Sequence, residues 1–87
     1  MARQIVRDRE KLAAMLPGGS SERPIHVTSA AVIEVRAEAA ACPQCEGSYR
    51  ILEHAAPSPG LREVTVSCRT CSVRRALWFR IDPAEPN

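Results

Sequence analysis

Lysine and aromatic residues are nearly absent from this sequence. Its 87 residues include one tryptophan, one tyrosine and one phenylalanine, and Lys11 is the only lysine among twelve lysines and arginines. A preference for arginine with abundant alanine is typical of GC-rich genomes, so we expect a bacterial source. The arginine count by itself therefore does not indicate phosphate binding.

Long apolar runs are also missing. No stretch of about 18 apolar residues exists that could cross a membrane. The first eleven residues carry charges where a signal peptide would need its apolar segment. We therefore expect a cytoplasmic protein whose cysteines are not held in a disulfide framework.

A chain of 87 residues is short for an independent hydrophobic core. It is expected to form one small domain stabilised by an additional constraint such as a metal ion or disulfides. The formal net charge is +2. Four metal-bound thiolates and one divalent ion would bring it to about zero, which argues against a global electrostatic attraction to nucleic acid.

All four cysteines fall into two Cys-x-x-Cys pairs. The first pair is Cys42 and Cys45, the second is Cys68 and Cys71, and residues 46–67 separate them. Two cysteines three positions apart on a tight turn can both bind one ion, and two such turns supply the four sulfurs of a closed tetrahedral zinc site. The spacing therefore predicts one structural metal site with four thiolate ligands.

The run from Cys42 to Gly47, the interval that follows, and the segment from Cys68 into an apolar strand resemble the zinc-ribbon fold group. The resemblance covers roughly residues 37–81 and implies a fold and a bound zinc ion, but no particular activity. Glu46 and Ser72 stand where many zinc ribbons have glycine directly after the second cysteine. Gly47 is expected to supply the flexible position one residue later.

Three alternatives concern the same cysteines. Iron in a four-sulfur site, as in rubredoxins, is compatible with the spacing, although those proteins have aromatic cores. A thioredoxin-type redox pair would need a helix opening on the motif, whereas Tyr49–Leu52 is predicted as a strand. A redox-responsive or metal-responsive zinc–thiolate switch remains the second hypothesis for function.

The N-terminal part is predicted as a short helix over residues 3–16, ended by Pro17-Gly18-Gly19, with a linker up to residue 24. The apolar residues Ile5, Leu12, Met15 and Leu16 form only a partial stripe. We expect the helix to lie against the edge of the ribbon, the alternative being a docking helix for a partner.

The alternating pattern of Ile25–Ala37 favours a strand that adds to the ribbon, or two short strands bent near Ser29-Ala30. A helix from Ala30 to Ala41 capped by Ser29 is the competing interpretation.

The next elements are predicted as a hairpin of Tyr49–His54 and Leu61–Ser67 around a loop at residues 55–60, then a third strand, Ala76–Ile81. The domain prediction is a helix and linker over 1–24, a zinc-ribbon domain over 25–82 and a tail over 83–87.

Arginines flank a tryptophan in the segment 69–80, which holds no acidic residue. Arg74, Arg75, Trp78 and Arg80 are the candidate partner-binding residues, and Trp and Arg are common in protein hot spots and in stacking on nucleic acids. The competing interpretation is a core tryptophan among solvated arginines. A protein partner is favoured over nucleic acid.

No catalytic arrangement is evident, because four thiolates would leave no open position on the metal. His26 and His54 are interpreted as ordinary strand residues. The overall prediction is a small, metal-bound, mainly β (α+β) protein: a zinc ribbon with an extra N-terminal strand and a short N-terminal helix. It would bind one Zn²⁺ ion structurally and act as an interaction module, not as an enzyme.

Overall fold

The computed structural model describes residues 2–83, with side chains described from Arg7 onward. The predicted tail therefore lies, apart from residue 83, outside the described residues, as does the side chain of Ile5. Two helices, α1 (Ala2–Met15) and α2 (Ile33–Ala39), accompany four strands: β1 (Ile25–Val27), β2 (Tyr49–Ser58), β3 (Leu61–Cys68) and β4 (Arg74–Ile81). This is a small α+β architecture with one mixed sheet.

The sheet has the strand order β1-β4-β3-β2. Strands β2, β3 and β4 are antiparallel neighbours, as predicted for the hairpin and the third strand. Strand β1 pairs with β4 in parallel, with Ile25 beside Phe79 and Val27 beside Ile81. The expected N-terminal strand is therefore present, although it has only three residues.

The predicted strand over Ile25–Ala37 is wrong beyond Val27. Ser29 adopts an extended conformation and its Oγ accepts a hydrogen bond from the Ala31 amide at 3.1 Å, which caps a short 3₁₀ turn that leads into α2. Ile33 and Ala37, four positions apart, are fully buried, whereas Val35 is 68% exposed. Burial of residues four positions apart is the pattern of a helix and not of a strand. The competing helix interpretation is therefore correct.

The predicted loop at residues 55–60 is also wrong in extent. Strand β2 continues to Ser58, and only Pro59 and Gly60 form the turn, where Gly60 has a φ of +77°. The pairing is irregular between Ala55 and Ser58, and β2 is an edge strand. Edge strands and bulges tolerate proline because no partner strand needs its missing N–H, so Pro57 does not end the strand.

The core lies on one face of the sheet. The buried residues that form it are Val27, Ile33, Ala37, Cys42, Tyr49, Val64, Val66, Cys68, Leu77 and Phe79. As the alternation predicted, Val64 and Val66 share the face of Cys68, and Leu77 and Phe79 share one face of β4. The strands thus lead from the core directly to the cysteines.

Helix α1 ends before Pro17, as predicted. Among its described residues Ala13 is buried, whereas Leu12 and Met15 are mostly exposed. The segment predicted as a linker lies against the sheet, because the carbonyl of Gly18 accepts a hydrogen bond from the Trp78 amide at 2.8 Å. Gly18 has a φ of +85°, a backbone conformation that favours glycine, and it lies close to the Ile25 side chain.

Candidate metal centre

Two short turns, called here knuckle 1 (residues 42–47) and knuckle 2 (residues 68–73), hold the four cysteines. In knuckle 1 the Glu46 amide donates to the Cys42 carbonyl at 2.6 Å, and the Cys42 amide donates to the Gly47 carbonyl at 2.9 Å. The Ser72 amide and the Cys68 amide make the same two bonds in knuckle 2, at 3.0 and 2.9 Å. Two different sequences therefore adopt one backbone turn.

Each knuckle contains one non-glycine residue with positive φ. These are Glu46 at +63° and Ser72 at +66°, the residues that follow the second cysteine of each pair. The left-handed conformation usually occupied by glycine in this turn is thus formed without it. The expectation that Gly47 supplies the flexible position is wrong, because its φ is not positive.

Gly47 provides space between the knuckles instead. A Cβ built on it would lie 2.7 Å from Thr70 Oγ1 and 3.0 Å from the sulfur of Cys68. The two knuckles are also joined directly, since the Arg69 amide donates to the Ser48 carbonyl at 2.9 Å. Close packing between the turns brings the two cysteine pairs together.

The four Sγ atoms lie within 4.8 Å of one another. The sulfurs of Cys42 and Cys71 are 3.7 Å apart, and those of Cys45 and Cys68 are 3.4 Å apart. A zinc–sulfur bond length of about 2.3 Å corresponds to tetrahedron edges of about 3.8 Å. The structure thus confirms the predicted cluster of four cysteines at metal-binding distance, with all four present as free thiols.

The two cysteines of each pair differ in exposure. Cys42 and Cys68, the first of each pair, are buried in the core, whereas Cys45 and Cys71 are exposed. The sequence order explains this, because Cys68 continues the buried face of β3 and Cys71 lies at the end of the turn that leaves it. The centre is therefore attached to the core on one side and open to solvent on the other.

The pKa values of Cys68 and Cys71 are shifted in opposite directions by their surroundings. The amides of Cys71 and Thr70, each 3.4 Å from the sulfur of Cys68, lower the pKa of that thiol to about 6, against the effect of burial. At Cys71 the Val73 amide lowers the pKa, but burial and the thiols of Cys45, Cys68 and Cys42 outweigh it and raise the pKa to about 12. One thiolate is thus favoured at neutral pH, and its crowded neighbours resist a second negative charge.

A soft divalent cation fits this donor set. Its positive charge removes the repulsion between neighbouring thiolates, so that all four sulfurs can lose their protons. Within residues 2–83 this is the one group of three or more His, Cys, Asp or Glu residues close enough to share an ion. Four sulfur ligands complete a tetrahedral shell and leave no position for a substrate.

A chain of polar contacts connects knuckle 1 to the rest of the molecule. Arg9 of α1 donates to the Gln44 carbonyl at 2.6 Å, and the Gln44 side chain donates to Glu10 at 2.6 Å. Glu10 also accepts a hydrogen bond from Arg75 of β4, whose guanidinium lies 6.0 Å from the centre of the Tyr49 ring. Sequence analysis missed this network, because positions 10, 44 and 75 are distant in the chain and show no common pattern.

Tyr49 lies in the core, next to the buried cysteines. Burial raises the pKa of its phenol, Arg75 opposes this shift, and the neighbouring Cys42 thiol reinforces it. The phenol is thus protonated at neutral pH. Its hydroxyl is buried and has no hydrogen-bond partner.

The four residues predicted to bind a partner are divided between the two faces of β4. Arg74, Trp78 and Arg80 lie on the face of β4 opposite the core residues Leu77 and Phe79, where Trp78 is half-buried and pairs in register with Glu63 of β3. Arg75 points to the opposite face, and only 9% of its side chain is exposed. The structure therefore brings three of these residues together and places Arg75 in the network around Glu10.

Both histidines pair with carboxylates away from the cysteines. His26 Nδ1 lies 3.0 Å from Asp82, and His54 Nδ1 lies 2.9 Å from Glu34. Arg62 donates to His54 Nε2 at 3.2 Å. Neither histidine belongs to the metal-binding group.

Comparison with known protein families, curated proteins and solved structures finds no match to this chain. The fold and the site therefore define its class: a small α+β protein with a four-cysteine cluster that can hold a metal ion. In the described part of the chain, neither helix has the length and apolar character needed to cross a membrane.

Proposed function

We propose that this protein binds one structural Zn²⁺ ion through Cys42, Cys45, Cys68 and Cys71 and is organised as a zinc ribbon. The single observation that supports this most is the cluster of four sulfurs within 4.8 Å of one another, in which two sulfur–sulfur distances, 3.7 and 3.4 Å, are close to the edge length of a zinc–thiolate tetrahedron. The three antiparallel strands β2, β3 and β4, with a knuckle before β2 and another between β3 and β4, have the order expected of a ribbon.

Zinc is favoured over iron for two reasons. Thiolate ligands bind both metals, but the chain has only three aromatic residues, fewer than the aromatic core that surrounds iron in rubredoxins would require. The ribbon is also small enough that an ion would supply much of its stability, since structural zinc contributes an apparent ~10–16 kcal/mol in finger peptides.

Metal analysis of the protein purified without added metal tests this proposal. We expect one zinc per chain, and replacement by Co²⁺ should give the intense visible bands of tetrahedral thiolate coordination. Removal of zinc by a strong chelator should abolish the β-sheet signal in circular dichroism. A metal-free protein with an unchanged spectrum would contradict the proposal.

We further propose that the face of β4 opposite the core binds a protein partner through Arg74, Trp78 and Arg80. A half-buried tryptophan between two exposed arginines has the composition of a hot spot. The near-zero charge of the zinc-bound chain disfavours nucleic acid as the partner.

Pull-down experiments can separate the two kinds of partner. Trp78→Ala combined with Arg74→Glu should lose a protein that the wild type captures after nuclease treatment and with little dependence on salt. Arg36→Glu, an exposed change on α2, is the matched control and should retain it. Loss of capture after nuclease treatment would instead indicate a nucleic acid.

A redox-responsive switch is the second candidate, favoured by the exposure of Cys45 and Cys71. Hydrogen peroxide would oxidise two thiolates, for example Cys45 and Cys68 at 3.4 Å, to a disulfide and would itself be reduced to water, with release of zinc. Peroxide titration distinguishes the candidates, because a sensor releases zinc at low peroxide and a structural site retains it.

A further inference from the structure

The hydroxyl of Tyr49 is an exception in the core. Only 1% of the residue is exposed, and the hydroxyl oxygen is buried without a hydrogen-bond partner. Water cannot reach this atom, so solvent does not satisfy it. Buried polar groups are nearly always paired, and an unpaired one calls for an explanation such as an absent ion or ligand.

Two polar groups adjoin this phenol, and they differ in what they offer. Arg75 donates to Glu10 through one terminal nitrogen and has a buried Nε without a partner, but it carries only N–H donors and so offers the hydroxyl no acceptor. Cys42 carries a sulfur close enough to the phenol to raise the Tyr49 pKa, although no hydrogen bond of good geometry joins the two groups in this structure. As a thiol, Cys42 is a weak acceptor, but as a metal-bound thiolate it becomes a strong, negatively charged one.

The backbone holds the two residues in place. Tyr49 begins β2 and pairs in register with Cys68, the last residue of β3, so the ring lies at the end of the sheet where the cysteines meet. Cys42 is fully buried in the same core cluster. The hydroxyl and the sulfur are thus enclosed together, away from solvent.

We propose that Tyr49 is a positioning residue of the metal centre and donates a hydrogen bond from its hydroxyl to the Cys42 thiolate when the metal is bound. This inference rests on the proposed zinc site and adds to it a side-chain partner of one ligand. Such partners orient metal ligands and tune the bound metal. A hydrogen bond to sulfur withdraws electron density from it, so this bond lowers the tendency of Cys42 to donate charge to the metal.

The variant Tyr49→Phe removes the hydroxyl and keeps the ring. The core change Phe79→Leu, at a buried position of β4, is the control for altered packing. Each protein is loaded with Co²⁺ to record its sulfur-to-metal charge-transfer bands, and zinc affinity is measured by competition with a chelator. Denaturant unfolding of the zinc-bound proteins measures their stability.

We expect Tyr49→Phe to bind one Co²⁺ with unchanged tetrahedral bands and with charge transfer at lower energy. Its zinc affinity should fall by about tenfold, because without the hydroxyl donor the Cys42 thiolate is less stable against protonation, and protons compete with zinc for the sulfur. Phe79→Leu should lower stability without shifting the charge-transfer bands, so the two variants separate a role at the sulfur from packing.

Each other outcome has a definite meaning. Equal charge-transfer energies and equal zinc affinities for wild type and Tyr49→Phe, with metal bound in both, would overturn this inference and leave the zinc site intact. Failure of the wild type to bind Co²⁺ or zinc would overturn the zinc site and the inference together.

Discussion

The two knuckles share one backbone but are anchored in different ways. Knuckle 1 follows α2 and is attached to α1 through Gln44, whose carbonyl and side chain contact Arg9 and Glu10. Knuckle 2 connects β3 to β4, and its residues Arg69 to Ser72 are exposed. Local hydrogen bonds therefore determine the shape of each turn, whereas contacts distant in sequence determine what surrounds it.

The comparison also shows which ligands depend on the core. Each knuckle contributes one buried cysteine and one exposed cysteine. If the metal holds the two knuckles together, loss of any ligand should affect both of them, although their anchors differ.

Removal of one buried ligand should have the largest effect. Cys42→Ser replaces a zinc ligand in knuckle 1 by a hydroxyl that binds zinc poorly, so the metal and most of the stability of the ribbon should be lost. Zinc content and circular dichroism measure this. The exposed ligand change Cys71→Ser in knuckle 2 should give the same loss, and retention of zinc and of the folded state by either variant would contradict a four-thiolate site.

Exchange of the fifth residue after the first cysteine tests the packing between the knuckles. Knuckle 1 has Gly47 at this position and knuckle 2 has Val73, which packs against the core. Gly47→Val should destabilise the zinc-bound protein by about 1–3 kcal/mol, because its Cβ would collide with Thr70 and the Cys68 sulfur. Denaturant unfolding measures the change, and Gly60→Ala, at the hairpin turn, is a control that strains the backbone far from the metal.

The attachment of knuckle 1 to α1 should have a smaller effect. Glu10→Ala leaves the nearly buried Arg75 side chain without its carboxylate, so we expect a loss of about 1–2 kcal/mol in the free energy of unfolding. Glu38→Ala, an exposed change on α2, is the matched control. Equal stability of the two variants would show that the Glu10 network contributes nothing to the fold.

The features that the sequence predicted are those with local patterns. The Cys-x-x-Cys pairs predicted the cluster, and alternation along β3 and β4 predicted which residues face the core. Alternation gave the wrong element at Ile25–Ala37, because the apolar residues there fit both the two-residue period of a strand and the period of a helix. The cap at Ser29 and the burial of Ile33 and Ala37 decide between them, and burial depends on the rest of the fold.

The surroundings of the metal centre were not predictable in the same way. Glu10, Gln44 and Arg75 come from three distant segments, and each looks like an ordinary surface residue in its local sequence. Arg75 was grouped with Arg74 and Trp78 by proximity in the chain, although neighbouring residues of a strand face opposite sides. Strand alternation applied to β4 would have separated Arg75 from Arg74, Trp78 and Arg80.

The smallest predicted effect concerns the shared backbone of the two knuckles. Glu46→Gly and Ser72→Gly each relieve a left-handed conformation that costs a non-glycine residue about 1–2 kcal/mol. Glycine in turn loses roughly 0.5–1 kcal/mol more backbone entropy on folding, so each variant should gain up to about 1 kcal/mol. Ser48→Gly, an exposed neighbour without positive φ, should instead lose stability. Denaturant unfolding measures the change in stability of each variant. A gain for Glu46→Gly and Ser72→Gly with a loss for Ser48→Gly supports strain in the two turns. A loss for Ser72→Gly as large as that for Ser48→Gly would contradict it.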